Sequence, residues 1–364
     1  MAKKIRVAII FNEPTVETPS GRKYISETGT LEEFATREQL LAGLKPETID
    51  LSEVGVLEER EHVQKVLQQA GYQALLFNMN GDVKRLIRFL EEKEPDLIFN
   101  LCESVGNESI HEMHVAGIYE LMGIPYTGAS AFVLGTCLHK ARVKEILTAH
   151  KIPTPRFVVY RNLADLDANG LPLEFPLIVK PSREDASIGI DNDSIVENIQ
   201  ALRKRVRYIF SQYDQPAMVE EFIEGREVNV AILGNKRPIV LPISEIDFSG
   251  LPENYPKIVT YNAKWMKGTP EYTGTVGKCP ADLPPEVEKR CKELALKVYR
   301  IMNLRDYARI DMRLTKNLTP YVIEANPNPD ISDDAGFARS ARAYGLSFEE
   351  TVCKIVECAL ERSP

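Results

Sequence analysis

Two segments, Tyr307-Ala-Arg309-Ile-Asp311-Met-Arg313-Leu and Val322-Ile-Glu324-Ala-Asn326-Pro-Asn328-Pro, alternate apolar and polar residues with the period of a β-strand. In the first, Ile310, Met312 and Leu314 take one face and Arg309, Asp311 and Arg313 the other. In the second, Tyr321, Ile323 and Ala325 alternate with Glu324 and Asn326. The turn-rich stretch between them suits a hairpin. Closing that hairpin brings Asp311, Glu324 and Asn326 together, with Arg309 beside them. Two carboxylates and an amide oxygen are hard donors, the set magnesium prefers when it also holds nucleotide phosphates. An arginine next to that metal can stabilise charge on a phosphoryl group in transfer. An ordinary solvated hairpin has the same spacing, so the assignment depends on the rest of the chain.

At 364 residues the chain is too long for one core, and two or three domains are expected. Its 45 basic and 53 acidic residues leave a net charge of −8, which argues against a nucleic-acid-coating protein. No apolar run reaches the roughly 18 residues of a membrane span. The apolar run at 7–11 is too short for an export segment and reads as a first buried strand. Six cysteines (Cys102, Cys137, Cys279, Cys291, Cys353, Cys358) show no CxxC pair. They read as reduced core residues of a cytoplasmic protein, with no zinc site.

The N-terminal part alternates strands (5–11, 73–77, 96–100) with helices (57–70, 81–93), a βαβ layout with a parallel sheet. Residues 14–47 carry little periodicity and read as a mobile loop with a helix around 31–41. Ligands of open α/β sheets sit at the carboxyl ends of the strands, which points to Asn12, Glu13 and the loop starting at Glu103. A second unit has a helix at 139–150, strands at 157–160 and 177–180, a polar loop at 181–189, a strand at Ile190 and a helix at 195–208. A third has strands at 218–222, 227–233, 239–243 and 308–314, with helices at 285–302 and 347–360.

Lys180 closes an apolar strand and is followed by Pro-Ser182-Arg183-Glu184-Asp185-Ala186-Ser187-Ile188-Gly189. A lysine ending a buried strand aims its ammonium at an anion or snorkels to water. The loop after it can turn backbone N–H groups toward phosphates. Lys140 is a weaker candidate in the first turn of its helix. The segment Glu220-Glu221-Phe222-Ile223-Glu224-Gly225-Arg226-Glu227 suits a strand, a tight turn and a returning strand. Such a segment can hold adenosine, or be a plain acidic turn. Tyr261-Asn-Ala-Lys264-Trp265 lies in a stretch, 255–280, with little periodic pattern. A mobile loop with one lysine there could close over a nucleotide and exclude water.

The order of these pieces resembles the ATP-grasp enzymes, and most of all the D-alanine–D-alanine ligase family, over residues 112–346. The resemblance rests on Glu120-Leu-Met-Gly-Ile-Pro-Tyr126-Thr-Gly128, Ile178-Val-Lys180-Pro-Ser-Arg-Glu184, Glu220 through Glu227, Tyr261-Asn-Ala-Lys264, and Arg309-Ile-Asp311 with Glu324-Ala-Asn326. It implies an α/β ATP-grasp architecture: an N-terminal preATP-grasp domain (1–130), a central subdomain (131–217) and a C-terminal catalytic subdomain (218–364). It implies that Lys140 and Lys180 contact the phosphates, with Ser187 and Gly189 in the loop covering them. Adenosine falls to the segment from Glu220 through Glu221, Phe222 and Ile223 to Glu227. Lys264 comes onto the γ-phosphate, Arg309 stabilises the oxyanion, and Asp311, Glu324 and Asn326 bind two magnesium ions, with manganese an alternative. The implied reaction is ADP-forming ligation of a carboxylate and an amine through an acylphosphate. A homodimer through the N-terminal domain is also what the family implies.

Departures from the family cluster in the substrate pockets. Its Gly-Gly loop with an ammonium-binding glutamate is replaced by Phe11-Asn12-Glu13-Pro14-Thr15, where Glu13 could substitute. Its His-Gly-x-x-Gly loop is replaced by the segment from Cys102 and Glu103 to Glu112. Asp185 and Ala186 stand at a Gly-Ser pair, and Trp265 at a tyrosine. Asp330 replaces an oxyanion-hole glycine, and Ala335 falls at a carboxylate-binding serine. The block Asp330, Asp333 and Asp334 suits an ammonium better than a carboxylate, unless it is only an acidic helix start. The expectation is a ligase with retained nucleotide machinery and altered pockets, acting on small amino-acid or amine substrates. Two alternatives stay open: a divergent D-alanine–D-alanine ligase of peptidoglycan synthesis, and a non-catalytic ATP-binding regulatory protein.

Overall fold

In the computed structural model of the chain the described residues are 4–12, 15–18, 21–24, 55–105, 108–169, 171–333 and 335–362. Glu13, Asp334 and the helix expected around 31–41 lie outside them. Strand β1 (Arg6–Phe11) is followed by a short antiparallel pair, β2 (Thr15–Thr18) and β3 (Gly21–Tyr24), where an irregular loop was expected. Then come α1 (Val56–Gln69), β4 (Gln73–Asn78), α2 (Val83–Lys93) and β5 (Leu97–Leu101). The sheet is parallel, in the order β4-β1-β5. Val7, Ile9 and Phe11 pack on the α1 side with Val63 and Leu67, whereas Ala8 and Ile10 pack on the α2 side with Leu86 and Leu90. Both faces are covered, which is why β1 reads as a continuous apolar run. Asp82 caps α2 by accepting from the Lys84 and Arg85 backbone N–H groups at 2.9 and 3.1 Å.

Three helices follow: α3 (His111–Leu121), α4 (Ala131–Leu138) and α5 (Lys140–Ala149). The middle of the chain has β6 (Phe157–Tyr160), α6 (Leu163–Asn169), β7 (Leu177–Pro181), β8 (Ile195–Val196), α7 (Ile199–Tyr213) and β9 (Ala217–Glu221). Its antiparallel sheet runs β6-β9-β7-β8 and has its own core around Leu177, Val179, Leu202, Val206 and Val219. Here two expectations fail. Ile190 is in no strand, and the helix does not start at 195. Residues 195–196 pair with β7 instead, and Asn198 sets the helix start by accepting from the Ala201 N–H at 2.9 Å.

The last sheet contains β10 (Gly225–Leu233), β11 (Ile239–Val240), β12 (Ser244–Asp247), β13 (Val276–Lys278), β14 (Tyr307–Thr315) and β15 (Pro320–Asn326). Its order is β13-β12-β10-β14-β15, with β11 on β10. The strand expected over 239–243 is split, because Pro242 has no N–H to donate to a ladder. The stretch 255–280 is folded rather than irregular. It holds α8 (Tyr261–Trp265) and α9 (Pro270–Gly274), capped by the Thr260 and Thr269 hydroxyls. Helix α10 (Pro285–Ile301) packs Val287, Cys291 and Val298 against Val228, Ile310 and Met312. Helices α11 (Gly336–Tyr344) and α12 (Phe348–Leu360) close the chain. Val352, Ile355 and Val356 of α12 join the core of the first sheet, so the two ends of the sequence share one apolar layer. All six cysteines are free, with Cys279 and Cys353 half-buried. No helix among the described residues is long and apolar enough to cross a membrane.

Candidate active site

The hairpin forms. Arg309 pairs with Asn326 and Asp311 with Glu324 across β14 and β15. The expected phase of β15 holds only in part, because the ladder then steps from Asp311–Glu324 to Met312–Val322. Ile323 is the extra residue of this bulge, so Val322 and Ala325 are buried and not Ile323. A bulge re-aims the side chains beside it. This one lies directly against the polar constellation.

Asp311 is buried and fully engaged. It accepts from Arg309 Nε at 2.7 Å and Nη2 at 2.8 Å, from Asn229 Nδ2 at 2.7 Å, and from Asn326 Nδ2 at 2.9 Å. Asn229 escaped the sequence reading, yet it is the β10 residue directly opposite Asp311. Burial lowers the Arg309 pKa, but Asp311 outweighs it and the guanidinium stays charged. Glu324 is paired with Lys140. Burial alone would raise the Glu324 carboxyl, but Lys140 and Lys180 pull it down to about 2.

A second ion cluster lies next to it. Glu220, on β9, is almost fully buried between Lys144 at 2.8 Å and Lys180 at 2.6 Å. Burial would raise its carboxyl, and the two lysines bring it to about 2. Lys144 also donates to Thr154 Oγ1 at 2.8 Å. Its position four residues after Lys140, one helical turn on, was the available signal and went unread. The Glu220 carboxylate is thus taken up by the two lysines.

The turn after β9 is held by Arg313, another residue the sequence reading left without a role. Its guanidinium donates to Ile223 O at 2.6 Å, Glu227 Oε2 at 2.9 Å and Gly225 O at 3.2 Å, and lies 4.7 Å over the Phe222 ring. Gly225 is required there, since a Cβ would stand 1.9 Å from Leu314 O. Burial raises the Glu227 carboxyl and Arg313 opposes it. Glu221 is tied to Arg156 by a side-chain bond of 2.9 Å. The Ile223 N–H has no partner among the described residues.

The loop after Lys180 holds Ala186 and Ser187 in left-handed backbone, and Gly189 also has positive φ. It is stitched to the 255–280 segment. Trp265 Nε1 donates to Ala186 O at 3.0 Å, Ser187 Oγ to Val259 O at 3.0 Å, and the Tyr261 N–H to Ile190 O at 2.9 Å. Lys264 is exposed in the cleft, 5.9 Å from the Trp265 ring. Burial in the surrounding protein lowers its pKa, and the charge on Arg309 lowers it further.

At the carboxyl end of the parallel sheet, Glu59, Glu103, Glu112, Asp330, Asn100 and Asn328 line one pocket. Glu103 and Asp330 were expected there, and Glu59 and Glu112 were not. Burial first, then neighbouring carboxylates, push Glu59 and Glu112 up to about 8 and raise Glu103 well above the ordinary carboxylate range. Asp333 is corrected out of this pocket. It is exposed and paired with Arg342 of α11, the acidic helix start that was the alternative reading.

The family model for the C-terminus of D-ala D-ala ligase matches residues 149–357. The protein y4sG of Sinorhizobium fredii is 32% identical over 311 residues, covering 83% of this chain and 87% of that one. The D-alanine–D-alanine ligase of Carboxydothermus hydrogenoformans is 30% identical over 304 residues, covering 82% and 91%. A solved Bacillus anthracis D-alanine–D-alanine ligase complexed with ATP superimposes with a TM-score of 0.67 at 22% identity, over 98% of each chain, and shares the fold. A family match over more than half of the sequence, and relatives aligned along most of it, lead to one conclusion: the chain belongs to the D-alanine–D-alanine ligase family of the ATP-grasp fold.

Proposed function

We propose that this chain is an ATP-dependent, ADP-forming carboxylate–amine ligase that joins amino acids, or an amino acid and an amine. The observation that carries the reading is the polar face of the β14–β15 hairpin. Arg309, Asp311, Glu324 and Asn326 share it, with Lys140 against Glu324. The ATP named with the Bacillus anthracis structure supports a nucleotide here. The Ile223 N–H is free for a ring nitrogen, and Glu227, held by Arg313 near the start of β10, can accept from ribose hydroxyls. Lys140 and Lys180 are the cations for the phosphates, under the loop carrying Ser187 and Gly189.

The donor set fits a hard cation. Asp311 and Glu324 are adjacent carboxylates, Glu324 ionises far below neutrality, and Asn326 adds an amide oxygen. These three residues would hold magnesium, which when bound offsets phosphate charge. The side chains that neutralise them here, Lys140, Arg309 and Asn229, can then turn to the nucleotide. In the reaction a substrate carboxylate oxygen attacks the γ-phosphorus and ADP leaves. The amine nitrogen then attacks the acyl carbon, phosphate leaves and the nitrogen loses a proton. Arg309 and Lys264 are the residues suited to charge on the phosphoryl oxygens. The stitched loops over the cleft keep water from the acylphosphate.

The test is phosphate release from magnesium–ATP across a panel of amino acids and amines, D-alanine included. Release that depends on a carboxylate and an amine supports the reading. No release with any pair overturns it.

A further inference from the structure

The pocket at the end of the parallel sheet is acidic beyond what the protein itself balances. Glu59 comes from α1, Glu103 from the end of β5, Glu112 from α3 and Asp330 from the segment after β15. Among the described residues, no lysine, arginine or histidine forms an ion pair with any of the four. Asp330 alone feels nearby cations, Arg309 and Lys264. Glu112 has only a neutral partner, Asn328 Nδ2 at 2.9 Å. Acidic groups gathered without counter-charge are pushed toward the neutral form, and a cationic ligand that supplies the counter-charge lets them ionise.

A second feature points to a ligand independently. Asn100 is 4% exposed and lines the same pocket. Its amide oxygen accepts from Tyr119 Oη at 3.3 Å, and its amide nitrogen has no partner among the described residues. That nitrogen is not sealed off from solvent, so it stays open to the pocket and can donate to an acceptor held there. The acidic groups are also spread around the cavity. Among the described residues, no three His, Cys, Asp or Glu side chains converge on a single metal position.

We propose that this pocket receives a substrate carrying two or more positive charges, a diamine or a diamino acid, with Asn100 donating to an acceptor on that substrate. One ammonium can offset one carboxylate, and at least three here lack a protein partner. The pocket opens at the strand ends, beside the segment that continues from Asn326 to Asp330. The inference rests on the ligase reading for its place in the reaction, because it names the class of one of the two substrates.

Calorimetric titration of the full chain with putrescine, L-lysine and L-2,3-diaminopropionate, against L- and D-alanine, tests binding without turnover. The diamino probes are expected to bind at least about tenfold tighter than the alanines. Glu59→Gln and Glu103→Gln should each weaken the diamino probes by about tenfold, and the alanines, with one ammonium each, by less. Equal affinities for both classes, or diamino binding untouched by both substitutions, overturns the inference. Phosphate release on the same samples separates the two claims. Release driven by alanine and indifferent to Glu59→Gln leaves a ligase and removes the diamino substrate. Binding of a diamino probe that depends on Glu59, with no release from any pair, keeps the pocket and removes the ligase.

Discussion

Two sets of carboxylates in this chain are treated in opposite ways. Glu220, Glu324 and Asp311 each have cationic partners within the protein, Lys144 and Lys180, Lys140, and Arg309. Glu59, Glu103 and Glu112 have none, and burial drives them toward the protonated form. Charge that is neutralised internally can be built to a fixed geometry and kept waiting for a nucleotide. Charge left open is unstable alone and is completed by what binds. The protein therefore balances the first set itself and, among the described residues, leaves the second without a counter-charge.

The comparison breaks first if the paired set is dispensable. Asp311→Asn or Lys180→Ala is expected to lower phosphate release by about 10²–10³-fold or more, with the fold intact by circular dichroism. Near-normal release in either variant would mean that the reacting phosphate lies elsewhere.

The next largest effect is on stability. Glu220→Gln leaves Lys144 and Lys180 buried without their counter-charge, which costs about 3–5 kcal/mol in chemical denaturation at neutral pH. The sign with pH follows from the depressed carboxyl. Its stabilisation is complete above the ordinary value of 4.5 and is lost as pH falls toward about 2. Wild type and Glu220→Gln should therefore converge in acid.

A smaller, kinetic effect is expected at Arg313. Arg313→Met removes the donor that binds Ile223 O and Glu227 together. The KM for ATP should rise roughly tenfold while kcat changes little, since the turn is displaced but the phosphate end is not. A fall in kcat alone would show that Arg313 acts on the chemistry and not on the adenosine turn.

The paired set was largely readable from the chain, and the open set only by half. Asp311, Glu324 and Asn326 lie on two neighbouring strands, and strand alternation fixes which side chains meet. Only the bulge at Ile323 escaped, because one inserted residue leaves no mark in composition. Lys144, Asn229 and Arg313 each look ordinary in their own segment, and their roles come from partners on other elements. Glu59, Glu103, Glu112 and Asp330 arrive from four separate segments. Glu103 and Asp330 could be placed in substrate pockets from the chain, but Glu59 and Glu112 each read as a solvated acid, and only tertiary packing brings the four into one pocket. Trp265 was read as a substitution in a substrate group, yet here it joins the 255–280 segment to the loop after Lys180 through Ala186.

The prediction at Glu59 is the sharpest contrast with Glu220. Glu59 is raised to about 8 in the empty protein, against 4.5 for an ordinary glutamate. Between those values the unfolded chain gives up a proton that the folded chain keeps, so stability falls as pH rises through the window and levels off above about 8. Glu59→Gln stays neutral in both states. It should melt at a higher temperature than wild type, by a margin that is absent below pH 4.5, grows to about 8 and is then constant. A saturating diamine should reverse the order, because it supplies the charge that Glu59 lacks and Gln cannot use. If Glu59→Gln instead lowers the melting temperature of the ligand-free protein across this window, Glu59 already has its counter-charge, and the division of the carboxylates into a paired and an open set fails at that residue.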